Sequence, residues 1–241
     1  MNNPYQFVRI CAWGGPGLLF VSLFFWAILG QNLPPISPGL DAQAFADVVR
    51  AHADSIRIGM LGLTMGGVMY MTWGLAITKV MEPLEGRSNV LSTLQMWGAG
   101  MTSMFFIIAP AIWLATVFRI ETISSEMITV LFDVGWMIFD ITVPTASIQF
   151  AAFGVCVLSD KRKVPAIPKW VAWIGIYEAV GLLVLALMPF FRTGAFARDG
   201  LINFWIVFPA FFGYMVIVSI YLFKAIPKLE AEYAAQGQAK T

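Results

Sequence analysis

MITVLFDVGWMIFDITVPTASIQFAAFGVCVL, residues 127–158, holds 32 positions and only two charged side chains, Asp133 and Asp140. At 1.5 Å per residue, a helix of that length measures about 48 Å, against roughly 30 Å of bilayer hydrocarbon. The segment reads as a transmembrane helix that must tilt, kink or protrude, with Pro144 in DITVPTAS as its interruption.

Five further stretches have the same character, at residues 10–30, 56–78, 90–117, 170–190 and 201–223. Each supplies the roughly 20 apolar residues that a crossing requires. In residues 10–30 the apolar run is long for a cleaved leader and no A-x-A site follows, so it too reads as a membrane helix. Pro110 is expected to kink the third span. The composition agrees, with 241 residues that are 59% hydrophobic and 12% charged and a mean hydropathy of +0.77. Soluble globular domains do not reach such values. The predicted fold is all-α: a polytopic integral membrane helical bundle, one domain over residues 1–241, with 224–241 as a polar cytoplasmic tail.

Between the first two spans, QNLPPISPG is turn chemistry and LDAQAFADVVRAHADS, residues 40–55, has helical periodicity. Leu40, Ala44, Val48 and Ala51 fall on one stripe, which predicts a short amphipathic helix on the periplasmic surface. Lys79, Arg87, Lys161, Arg162, Lys163, Lys169, Lys224 and Lys228 occupy the turns of one side, and Arg50, Arg57, Arg119, Arg192 and Arg198 those of the other. The richer side is expected in the cytoplasm, with both termini, as in a bacterial inner-membrane protein. No heptad, solenoid or inverted repeat is legible, and neither is a pair of matching broken helices.

Polar groups in hydrocarbon are the clue to function. Counted along its helix, Glu178 lies about 12 Å from the cytoplasmic end of the fifth span, and Gln149, Tyr70 and Tyr214 come out at a similar depth. Four polar groups at one level suggest a shared cavity, with ordinary interhelical hydrogen bonds as the plainer reading. Asp140 and Arg57 fall near the outer boundary, where they could form an ion pair, and Asp133 lies two turns further out on nearly the same face. With Arg119, Arg192, Arg198 and Asn203 at the same end, these residues form either a collar of ion pairs or the vestibule of a pocket.

Nine Trp, twenty Phe and six Tyr complete the picture. Trp13, Trp97, Trp113, Trp170 and Trp205 sit near span ends, where an interfacial belt is expected. Trp136, between Asp133 and Asp140, and Trp73 read as core or as an aromatic wall beside an acid. In GMLGLTMGGVMYMTWG, Gly62 and Gly66 predict a close helix contact. Met60, Met65, Met69 and Met71 are candidate walls of a plastic pocket.

A net charge of +1 argues against nucleic acid as a partner. His52, the sole histidine, belongs to the surface helix, and Cys11 and Cys156 lie in separate spans, so no metal site and no cofactor is expected. No Walker loop or GxSxG motif occurs. The partners expected are the lipid bilayer, a hydrophobic small molecule, and a membrane-protein partner or second copy. The leading expectation is a bundle that binds or moves a hydrophobic small molecule through an intramembrane pocket with a buried carboxylate. The alternatives are an acid-assisted membrane enzyme, isoprenoid cyclase-like or isomerase-like, and an accessory subunit of a membrane complex.

Overall fold

The apolar runs form six helices long and apolar enough to cross a membrane: Val8–Leu29, Ala53–Glu85, Val90–Phe118, Ser125–Leu158, Lys169–Phe190 and Leu201–Ala235. They are seen in a computed structural model that describes residue 3 and residues 5–238. The chain is an all-α, multi-pass membrane protein, and the described residues contain no strand. An even number of crossings leaves both ends on one face, where Arg9 pairs with Glu230 at 3.2 Å.

The second span is central because its small residues admit backbone on two sides. A Cβ at Gly59 or Gly62 would run into Phe25 of the first span, and one at Gly67 would meet the Ser103 carbonyl of the third. The GxxxG pair thus serves contacts within the chain. Trp73 fixes the sixth span to this centre by donating its indole N–H to Ser219 Oγ at 3.1 Å.

On the far face, the surface helix spans Ala42–Ala51 and is capped by Asp41, whose carboxylate accepts from the Ala44 N–H at 2.8 Å. Its buried residues are Phe45, Ala46 and Val49 rather than the expected Leu40, Ala44, Val48 and Ala51. With the helix starting after Asp41, Leu40 falls outside it, and the largest apolar side chain, Phe45, sets the inward face by packing edge-on against Phe132 at 5.6 Å. Ser125, at the head of the fourth span, donates to Gln43 at 2.8 Å and accepts from Arg50 at 3.3 Å, which pins the surface helix down.

At the other end, the sixth-span helix runs on as Phe208–Gln238, so most of the expected tail is helical, and residues 239–241 lie outside the described residues. Ala225, Ile226 and Leu229 are buried, and Arg162 pairs with Glu232 at 2.9 Å. Trp13, Trp97, Trp170 and Trp205 are exposed as a belt requires. Trp113 is not: it is buried, and its N–H donates to the Phe132 carbonyl at 3.2 Å.

Candidate functional site

Five spans change their helical character partway across: the first, which is interrupted at Trp13 and turns π-helical over Ser22–Leu29, and the third to sixth. The third breaks at Met104, between Val90–Ser103 and Phe105–Phe118. The fourth breaks at Thr142 and Val143, between Ser125–Ile141 and Pro144–Leu158. In the fifth, an α-helix over Lys169–Gly181 tightens into a 3-10 helix over Leu182–Phe190, and in the sixth a π-helical Leu201–Val207 leads into α at Phe208. Prolines account for two of the positions, in the fourth and sixth spans. Pro144 has no N–H for the Asp140 carbonyl and opens the second half of its span, and Pro209 stands at the π-to-α junction. Pro189 lies inside the 3-10 turn. In the third span the break falls six residues before Pro110, at MTSM, where Ser103 Oγ donates to the Gly100 carbonyl at 2.6 Å. Such back-bonding bends helices.

The breaks in the third to sixth spans meet at one level, and there the helices part. A narrow apolar cleft is lined by Thr102, Phe105 and Phe106 of the third span and Phe139, Val143 and Ala146 of the fourth. Leu182 and Leu185 of the fifth and Val207, Phe208, Phe211 and Phe212 of the sixth close it. Irregular backbone at membrane depth is tolerated where it is buried in protein or lines a cavity. Sequence inspection missed this set. Its signal was the four interior prolines, two of which, Pro189 and Pro209, look like ordinary loop punctuation near a span end.

The expected polar residues surround the cleft without lining it. Tyr70 donates to Gln149 Oε1 at 2.8 Å, and both side chains are fully buried. Phe106, a cleft wall, stacks on Tyr70 at 5.6 Å. Tyr214 is buried against Gly175, where a Cβ would strike its hydroxyl, and it lies edge-on to Phe150 at 5.0 Å. Glu178, one turn beyond Gly175, is half-buried and makes no hydrogen bond or ion pair among the described residues. Met65 and Met71 are exposed on the lipid side, so the methionine cluster does not form a pocket wall.

Replacing Tyr70 with Phe removes the bond to Gln149, whose Nε2 already has no partner. We expect a loss of about 1 kcal/mol in the unfolding free energy, measured by denaturation in mixed micelles.

At the outer end of the cleft, Asp140 is fully buried and its Oδ2 accepts from Asn203 Nδ2 at 3.1 Å. Each member of the pair lies about one turn from a lining residue, Val143 for Asp140 and Val207 for Asn203. The Asp140–Arg57 ion pair does not form. Arg57 instead pairs with Asp54, one turn back on its own helix, and donates to the Val117 carbonyl at 3.0 Å.

The buried cation of this end is Arg198, which is 1% exposed. It donates to Asp133 Oδ1 at 2.5 Å and to the Ile36 carbonyl at 3.0 Å. Its guanidinium lies 5.1 Å from the Phe45 ring centroid and 6.0 Å from that of Trp136. Burial pushes the Arg198 guanidinium below its ordinary range, and the adjacent Asp133 carboxylate opposes the change. Trp136 itself is buried among Trp26, Trp113 and Phe208, with ring centroids 5.9, 6.0 and 6.3 Å away. The outer acids therefore separate into an ion pair at the mouth, Asp133–Arg198, and a neutral-partnered acid below it, Asp140–Asn203.

No group of three or more His, Cys, Asp or Glu suited to a metal ion occurs among the described residues. Comparison with protein-family models, with curated proteins and with solved structures gives no match.

Proposed function

We propose that this multi-pass protein binds or moves an apolar small molecule, taken from the bilayer into the cleft between its third, fourth, fifth and sixth spans. The observation that carries the reading is the coincidence of that cleft with the break in all four helices around it. The first span is interrupted too but lines no part of the cleft, so the support comes from where the other four breaks fall, as ligand sites favour discontinuous helices. The lining is almost wholly aromatic and aliphatic, with Thr102 as its one polar side chain, which suits a ligand with little polar surface. The distribution of Lys and Arg supports both termini in the cytoplasm.

An acid-assisted enzyme would need Asp140 to face the bound molecule. The fourth-span residues that face the cleft are Phe139, Val143 and Ala146, so binding is the better-supported reading.

Titration of N-phenyl-1-naphthylamine into the protein in lipid nanodiscs, with empty nanodiscs as the blank, tests it. Saturable binding is expected, and Glu178→Gln should leave the affinity within about twofold, because Glu178 does not line the cleft. Binding no greater than the blank would overturn the proposal.

A further inference from the structure

The pairing of Asp140 with Asn203 leaves a defect in the hydrogen-bond accounting. Asn203 Nδ2 donates to Asp140 Oδ2, and this leaves Asp140 Oδ1 and Asn203 Oδ1 buried with no partner. Both are acceptors, and orphaned acceptors in a protein interior are rare and costly. The Trp26 ring stacks on Phe139 and packs on Phe204, and its indole N–H bonds to neither oxygen. No ion pair to Asp140 forms among the described residues, and Arg198, the buried cation of this end, is held by Asp133.

We infer that Asp140 is a proton-binding site: its carboxyl carries a proton donated to Asn203 Oδ1, so that acid and amide form a two-bond cyclic pair. One proton then removes both orphans and the cost of a carboxylate in hydrocarbon. The pair joins the fourth span, just before its break, to the π-helical start of the sixth, so it clips together the two helices at the outer end of the cleft. Loss of the proton turns a donor into an acceptor and sets two oxygens against each other, and the clip opens. Ligand access from the outer face is thereby linked to proton release. The protonation state stands apart from the ligand reading and is measured without a ligand.

The test is infrared spectroscopy of the full-length protein in lipid bilayers at neutral pH, in the carbonyl region of protonated carboxylic acids. Subtracting Asp140→Asn from the wild type should leave an acid carbonyl band. Asn203→Leu should keep that band but move it to higher frequency, because a hydrogen bond is lost. Glu178→Gln, made as a control for the other membrane acid, should leave the Asp140 difference unchanged.

Asp140→Asn should also fold and melt like the wild type, since an amide–amide pair keeps both hydrogen bonds. A folded Asp140→Asn protein with no missing acid band overturns the inference, and so does a band that Asn203→Leu does not shift. Failure of Asp140→Asn to fold counts equally against it, because an isosteric neutral pair would not satisfy the site.

Discussion

Arg198→Ala is expected to cost about 3 kcal/mol of unfolding free energy, the largest loss of stability for any single side chain on the far face. Four groups from three parts of the chain converge on that guanidinium: Asp133 and Trp136 of the fourth span, the Ile36 carbonyl of the first connection and Phe45 of the surface helix. Alanine would leave Asp133 facing a hole and release the turn that carries residue 198. Because the Asp133 side chain keeps 34% exposure, part of its charge remains solvated, which holds the cost to the lower end of the range for broken buried pairs. Arg198→Lys should recover less than half, since an ammonium cannot reach the carboxylate and the carbonyl together while stacking on two rings. Thermal or denaturant unfolding in micelles reads both. A loss below about 1 kcal/mol, the value of an exposed pair, would show that the cluster is not a lock.

Filling the cleft should affect binding more than any change to the surrounding polar groups. Ala146 is buried on the cleft wall contributed by the second half of the fourth span. Ala146→Trp projects an indole into the space a ligand would take. We expect affinity for N-phenyl-1-naphthylamine to fall at least tenfold, equivalent to about 1.4 kcal/mol. Overpacking costs typically 1–3 kcal/mol of stability, and because the cleft is narrow the indole must push its walls apart, so a loss within that range is expected. Loss of binding in a protein that stays folded, with an unfolding free energy lowered by no more than about 3 kcal/mol, is the expected pair of results. An Ala146→Trp protein that is stable and binds as the wild type does would place any ligand elsewhere.

The six spans were legible because a crossing helix needs a long run of apolar residues, and those runs stand out against turns such as KVMEPLEGRSN and SDKRKVPAIPK. Pro144 was legible as a break for the same local reason. The partner of each outer acid was not. Helical depth put Arg57, Arg198 and Asn203 at one level but could not say which lay across from Asp140, since that depends on how each helix is rotated about its axis. Arg57 was claimed by Asp54 three residues away, a contact that nearest-neighbour spacing on a helix would have suggested.

Trp113 was assigned to the interfacial belt from its place near a span end. It is core because Gly135 on the facing helix makes room for its indole. The four-way break was the least legible feature. Each proline could be seen alone, but their common level emerges only once the helices are packed. The polar level of Tyr70, Gln149, Tyr214 and Glu178 was half legible, since depth put Tyr70 and Gln149 at one level but not which groups bond, while the cleft lies along the apolar faces of the same bundle.

The most direct test of the central claim is photolabelling of the protein in bilayers with a long-chain aliphatic diazirine, followed by peptide mapping. The account predicts labels concentrated on cleft residues such as Phe105, Phe139, Leu185 and Phe212 and displaced by excess unlabelled alkane. Labels spread over lipid-facing residues such as Phe20, Leu61, Val180 and Ile206, with no enrichment in the cleft and no displacement, would contradict it.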